Sequence, residues 1–271
     1  MADKKPRILL TNDDGIDSPG IWAAAEALSE LGYVWVVAPR EQSSGAGRSM
    51  PGHSDGIITM QKMVVHGKEW PVYAVGGTPA QTVQHAILEI INGVPDLVVA
   101  GINYGTNFGT GVTVSGTVGA ALEGVTHGIP SMAVSLETHK RYHLTHSTEV
   151  DFSAAAHFTK LFAQRFIDGG FPEDVCLLKL EIPDDASVET PWEVTRLSPI
   201  RFYIAVPAER DSWDQPGKTD YTYQDDYSKF PPDSDAYVVL NNRSVSVTPM
   251  TLDMTSRIDL AEFERQLREG T

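Results

Sequence analysis

Only one cysteine, Cys176, occurs in the 271 residues, which excludes an internal disulfide and a zinc site built on thiolates. It falls in Val175-Cys176-Leu177-Leu178-Lys179-Leu180, an apolar strand-like run. There a thiol is expected to be a small buried hydrophobe, because a nucleophilic cysteine needs exposed, electropositive surroundings. Basic residues are also short: 21 Lys and Arg stand against 36 Asp and Glu, a formal net charge of −15. A sequence-independent nucleic-acid binder draws its affinity from Lys and Arg on phosphates, so no nucleic-acid duplex is expected as a partner. No run approaches the roughly 18 apolar residues of a membrane-spanning helix. Met-Ala-Asp-Lys-Lys-Pro-Arg leads into the first strand without the apolar core of a signal peptide, so the expectation is a cytoplasmic protein with no membrane partner. The glycines of residues 101–111 do not make G-x-G-x-x-G, and no complete G-x-x-x-x-G-K-S/T occurs, so dinucleotide and P-loop readings lack support.

What the chain has is Arg7-Ile8-Leu9-Leu10-Thr11-Asn12-Asp13-Asp14-Gly15-Ile16, an apolar strand-like run that stops at two adjacent carboxylates. Neighbouring side chains on a strand point to opposite faces. Two such carboxylates therefore reach one ion only where the chain leaves the strand and turns, and Gly15 permits that turn. A polar β-turn would read the same in isolation. Next, Ser18 is expected as N-cap and Pro19 as the first residue of a helix carrying Ile21, Ala24, Ala25, Leu28 and Leu31, ended by Gly32. A strand from Tyr33 to Ala38 completes a βαβ unit. In open sheets built this way ligands sit beyond the carboxyl ends of the strands, where Asp13 and Asp14 lie.

The alternation continues. Gly77-Thr78-Pro79-Ala80 opens a helix with Val83, Ile87 and Ile91 on one face, and Asp96 to Ala100 reads as a buried parallel strand ending in the glycine-dense loop. Ser115-Gly116-Thr117 opens a helix that closes at Gly128, followed by a strand from Met132 to Leu136, a helix from Asp151 to Ile167 and a strand from Val175 to Ile182. From about Thr190 to Thr248 the sequence is strand-like, aromatic and turn-rich, and reads as an extended hairpin. A last helix begins near Asp259, where Asp259 and Glu262 are expected to form a capping box. The pattern predicts an α/β protein: a Rossmann-like, mostly parallel sheet with helices on both faces, plus a C-terminal β-hairpin extension. The expected division is a core of residues 1–189 and an extension of residues 190–271 holding the hairpin and terminal helix.

Asp13 and Asp14, Ser43 and Ser44, and Asn103 place hard oxygen donors after successive strands, which suits magnesium, manganese or calcium better than zinc. The helix start at Ser115 and Thr117 offers free N–H groups and a favourable dipole to an anion. A metal and a phosphate cradle together point to phosphoryl chemistry. Further, the ordered set Thr11-Asn12-Asp13-Asp14-Gly15-Ile16, Ala38-Pro39 followed by Ser44-Gly45, Gly76-Gly77-Thr78-Pro79-Ala80, Gly101-Ile102-Asn103 and Ser115-Gly116-Thr117-Val118-Gly119-Ala120-Ala121 resembles the family of the stationary-phase survival protein SurE. Val245-Ser246-Val247-Thr248-Pro249 extends the likeness beyond residues 7–136.

The resemblance implies a divalent-metal-dependent phosphomonoesterase hydrolysing nucleoside monophosphates, a hydrolase of 5′-nucleotidase type that works through a metal-activated water. Carried onto this sequence, it implies one divalent ion per subunit, Mg²⁺ or Mn²⁺ with Ca²⁺ as a substitute in a crystal, on Asp13, Asp14, Ser44 and Asn103. Asp13 and Asp14 would also be the catalytic groups. Phosphate contacts are implied for Asn12, Gly45, Ser115, Gly116 and Thr117, with the carboxylates taking the metal and the Thr117 hydroxyl taking the phosphate. An exchanged C-terminal extension is implied too, giving a homodimer or homotetramer joined through residues 190–271. Ser43, Gly111 and Val114 depart from the family's usual Arg or Gln, Asp, and Tyr or His, and flank these positions.

The same ligands would serve a metal-gated nucleotide-binding or phosphate-binding protein without turnover. Covalent catalysis through Asp13 is disfavoured, because the two carboxylates are adjacent where aspartyl-phosphate enzymes use Asp-x-Asp. His139, His143 and His146 lie in a polar loop and read as a solvated segment in preference to a metal site. Tyr221, Tyr223 and Tyr227 read as a hairpin or subunit contact in preference to a base-stacking platform.

Overall fold

Alternation along the first strand, β1 (Arg7–Thr11), divides the interior: Ile8 and Leu10 enter one hydrophobic core and Leu9 the other. The computed structural model describes residues 5–143 and 145–270. Behind β1 come α1 (Pro19–Ser29), β2 (Tyr33–Pro39), β3 (Ile58–Val65), β4 (Lys68–Val75), α2 (Pro79–His85) and β5 (Leu97–Tyr104). The chain continues through α3 (Gly116–Thr126), β6 (Ser131–Leu136), α4 (Ser153–Asp168), β7 (Leu177–Ile182) and β8 (Trp192–Val194). Then follow β9 (Tyr203–Val206), β10 (Asp220–Tyr223), α5 (Asp235–Leu240), β11 (Val245–Met250) and α6 (Leu260–Glu269).

Among the described residues nine strands form one sheet, in the order β3-β4-β2-β1-β5-β6-β7-β11-β8. Strands β4, β2, β1, β5, β6 and β7 are mutually parallel. Antiparallel pairs enter only as β3 on β4 and β11 on β7. The predicted Rossmann-like α/β class is what the chain adopts. Winding runs outward from β1 through β2 to β4 on one side and from β5 through β6 to β7 on the other. The reversal between the adjacent strands β1 and β5 is the switch point at which such sheets bind ligands.

Helices cover both faces because each carries one apolar stripe. Ile21 and Leu28 of α1 pack with Phe158 and Phe162 of α4 in the first core, and Val83 of α2 with Val118 and Ala121 of α3 in the second. Thr78 and Gln81 cap α2 reciprocally, with Gln81 N donating to Thr78 Oγ1 at 3.2 Å and Thr78 N to Gln81 Oε1 at 3.1 Å. Helix α2 passes into a single π-helical turn over Ala86–Ile90.

Several expectations need correction. Residues 190–248 are not one extended hairpin: only β9 and β10 pair that way, while β8 and β11 join the main sheet. Helix α5 stands where strand was expected. Its Val238 and Val239 carry strand-like signatures, but Ser234 Oγ accepts from Tyr237 N at 3.4 Å and starts a helix. The β3–β4 hairpin was not foreseen. Ser18 occupies the N-cap of α1 without making a side-chain cap bond, and Asp259 caps α6 through Ala261 N and Glu262 N without the return bond from Glu262. Cys176 is half-buried just before β7, its thiol 3.7 Å from Asp174 O. Among the described residues no helix is long and apolar enough to cross a membrane.

Candidate metal and phosphate site

Both carboxylates at the end of β1 are buried, Asp13 at 4% and Asp14 at 1% exposure. The turn that carries them is held by Asn12, whose Nδ2 donates to Gly15 O at 2.9 Å while its Oδ1 accepts from Gly15 N at 3.2 Å. Gly15 takes φ +98°, which suits only glycine. Asn12 is thus engaged at both ends as a staple of the turn.

Asp13 faces the start of α3. Thr117 Oγ1 donates to Asp13 Oδ1 at 2.5 Å, and Ser115 Oγ accepts from Val118 N at 3.1 Å as the helix cap. Gly116 allows the close approach, since a Cβ there would lie 2.7 Å from both Cβ and Oδ2 of Asp13. Asp14 faces the end of β5: Tyr104 N donates to its Oδ2 at 3.3 Å, and Gln42 Nε2 to its Oδ1 at 2.9 Å. Asn103, the neighbour of Tyr104, donates its Nδ2 to Gly105 O at 2.6 Å, which leaves its amide oxygen for another partner. The loop after β2 joins the group through Ser43 N, which donates to Asp13 O at 2.7 Å, and through Gly47 N to Val114 O at 2.9 Å. Ser44 and Gly45 follow on this loop and are exposed.

These surroundings oppose charge on the two carboxyl groups. Burial raises the Asp13 carboxyl to about 6 against the bonds from Thr117, and burial, reinforced by the neighbouring Asp13 charge, raises Asp14 well above the usual carboxylate range. No Lys or Arg among the described residues forms an ion pair with either. Two adjacent buried carboxylates without a cationic partner, with Asn103 one residue from the Tyr104 N–H that reaches Asp14, offer hard oxygens that fit a divalent ion. Among the described residues no group of three or more His, Cys, Asp or Glu gathers at one point, so the histidine loop makes no metal cluster. It is not merely solvated either. His146 Nε2 lies 2.9 Å from Asp14 O, and His143 O accepts from Gln42 Nε2 at 2.7 Å.

Gln42 and Tyr104 are residues of the candidate site that pattern reasoning missed, and His146 reads in the sequence as part of a solvated loop. Gln42 carried a signal only as a polar residue in a loop after a parallel strand. Beside it, at the ends of β2 and β4, opens a cleft of about 280 Å³ lined by Arg40, Gln42, Ser43, His53, Asp55 and Gly76.

Comparison with known proteins bears on this arrangement. The family model described as survival protein SurE matches residues 8–203. A protein of Thermococcus gammatolerans named 5′-nucleotidase SurE is 43% identical over 266 residues, covering 96% of each chain. One of the same name from Methanosarcina mazei is 38% identical over 273 residues, covering 97% of this chain and 98% of its own. The crystal structure of the SurE protein from Aquifex aeolicus superposes with a TM-score of 0.76 at 31% identity, over 98% of this chain and all of that one. The match takes in every strand-end loop that meets at Asp13 and Asp14, and the chain belongs to the SurE family.

Proposed function

We propose that this protein is a phosphomonoesterase of 5′-nucleotidase type, acting on nucleoside monophosphates with a divalent ion held by Asp13, Asp14, Ser44 and Asn103. The observation that carries the reading is the pair of buried, cation-free carboxylates abutting the N-terminus of α3 at the switch point of the sheet. An ion bound there, Mg²⁺ or Mn²⁺, supplies positive charge against the phosphoryl oxygens and acidifies a water. The rest falls to the chain. Thr117 fixes Asp13, while Gln42 and Tyr104 N fix Asp14, so each carboxylate is held in one orientation. The N-terminal N–H groups of α3, with Ser115, Gly116 and Thr117, face the oxygens of the transferred group, joined by Gly45, while Asn12 holds the turn through both ends of its amide. Asp13 or Asp14 takes the proton of the attacking water. The cleft beside Gln42 and Ser43 is the seat assigned to the nucleoside, since Gln42, which lines it, also donates to Asp14.

Residues 190–271 are proposed to join subunits into a dimer or tetramer. Support comes from α6, whose Leu260, Phe263 and Leu267 are 61%, 44% and 70% exposed.

Phosphate release from AMP and from a chromogenic monoester, with chelator and after Mn²⁺ or Mg²⁺ is restored, tests the assignment. Release that disappears with chelator and returns with metal supports it. Metal-dependent nucleotide binding without release would make the protein a binder.

A further inference from the structure

Three charged side chains lie fully buried in a separate cluster: Lys179 and Glu181 on one face of β7 and Asp235 at the start of α5, each 0% exposed. Lys179 Nζ stands 2.9 Å from Glu181 Oε1 and 3.0 Å from Asp235 Oδ2. One cation against two carboxylates is costly inside a protein unless hydrogen bonds complete the set. Main chain from other segments completes it. Asn107 N donates to both Glu181 oxygens at 3.0 and 3.1 Å, and Gly109 N to Asp235 Oδ2 at 2.8 Å. Ser198 N and Ala236 N donate to Asp235 Oδ1 at 2.9 and 2.8 Å.

Asn107 and Gly109 belong to the segment of residues 105–115 that runs from β5 to the cap of α3. With Gly105, Gly109 and Gly111 in it, this segment has little local reason to keep one shape. Besides Glu181 and the bond from Gly47 N to Val114 O, its shape is held by residues beyond 190. Tyr203 Oη donates to Thr106 O at 2.8 Å, and Phe108 is buried among Phe202, Phe230 and Val239. A Cβ on Gly109 would lie 2.2 Å from Ser198 O.

We infer that Asp235, acting with Lys179 and Glu181, is a positioning residue for phosphate binding: Asp235 holds the N–H of Gly109 and Glu181 that of Asn107, and together they set where residues 105–115 deliver the Ser115 end of α3. The inference rests on the reading of that helix end as the phosphate seat. It makes a residue of the C-terminal part of the chain a support of the site, although Asp235 touches neither metal nor substrate. Carboxylates suit this task better than neutral acceptors, because bonds from N–H groups to ionised oxygens are shorter and stronger.

The test is Asp235→Asn, which keeps size but gives up one acceptor and the charge. Hydrogen exchange of residues 105–115, thermal unfolding, Mn²⁺ titration, and phosphate titration in the presence of Mn²⁺ are measured on the full chain. A folded variant is expected to exchange about tenfold faster in residues 105–115 and to bind inorganic phosphate about tenfold more weakly. Its Mn²⁺ affinity without phosphate should fall less than its phosphate affinity, since Asp13 and Asp14 lie outside the cluster and Asp13 is reached from it only through the Thr117 bond at the start of α3. Wild-type phosphate affinity in a folded variant overturns the inference whatever the loss of stability, as does unchanged exchange. Should Asp235→Asn fail to fold, Glu181→Gln carries the same test. It keeps an acceptor for Asn107 N and leaves Lys179 paired with Asp235, so a loss of about threefold is expected and none would refute the idea. A wild-type protein that binds no phosphate refutes the phosphate seat itself. That outcome is distinguishable, because exchange at residues 105–115 is read without phosphate.

Discussion

Thr117 Oγ1 and Asp13 Oδ1, 104 residues apart in the chain, are joined by a 2.5 Å hydrogen bond that fastens the start of α3 to the carboxylate at the end of β1. The seat assigned to phosphate and the group assigned to metal are therefore one mechanical unit. Assigning the Thr117 hydroxyl to phosphate alone, as expected from the sequence, does not accommodate this bond.

Thr117→Val is accordingly expected to weaken both functions, lowering Mn²⁺ affinity and inhibition by inorganic phosphate by about tenfold each, with Thr117→Ser restoring most of both. Mn²⁺ titration and competitive inhibition measure the two effects. A loss confined to phosphate would separate the two groups again.

Asp14→Asn removes a buried carboxyl group that has no cationic partner among the described residues. Metal-dependent phosphate release should fall by at least about a thousandfold, while the metal-free protein keeps its fold and melts no lower at neutral pH, because an amide costs less to bury than a carboxylate. Asp13→Asn is expected to behave alike. Phosphate release and circular-dichroism melts decide it: near-wild-type turnover at saturating Mn²⁺ in both variants would remove the carboxylates from the mechanism.

Proton linkage has a definite sign here. In the metal-free chain Asp13 is raised from 3.8 to about 6, and Asp14 is raised as well, so folding takes up protons at both. Their contribution to stability is complete below the unfolded value of 3.8 and is lost as pH rises through about 6 for Asp13. Divalent ions need the ionised carboxylates, so Mn²⁺ affinity should rise over the same interval. The increase in melting temperature produced by Mn²⁺ is thus expected to be small near pH 5 and larger near pH 7.5. Scanning fluorimetry with and without Mn²⁺ checks it, and a constant increment would contradict the linkage.

Helix α6 has apolar side chains but no core of its own to cover them: Phe263 and Leu267 are 44% and 70% exposed. Size exclusion coupled to light scattering should find a dimer or larger at micromolar concentration, and removal of residues 257–271 should reduce that state without unfolding the sheet. A folded, active wild-type monomer would rule out the assembly.

Asp13 and Asp14 were legible as a candidate site because everything that marks them is local: an apolar strand, two carboxylates and a glycine, with a helix opening at Pro19 one turn later. The parallel core was legible for the same reason, since periodicity and helix caps act over a few residues. Residues 190–248 were not. Val238 and Val239 look like strand until Ser234 caps a helix, and β11 takes its place in the sheet only because β7 is there to pair with it. Lys179 and Glu181 interrupt an apolar strand at a period of two, which shows in the sequence that one face of β7 is charged. What that face meets is decided by the fold alone, which brings Asn107, Gly109 and Asp235 onto it. Gln42 and Tyr104 likewise reach Asp14 only because β2 and β5 flank β1 in the sheet. Local sequence sets backbone preference within a turn or two. Which polar groups satisfy a buried charge depends on the segments that the strand order places side by side, and that is a property of the whole chain.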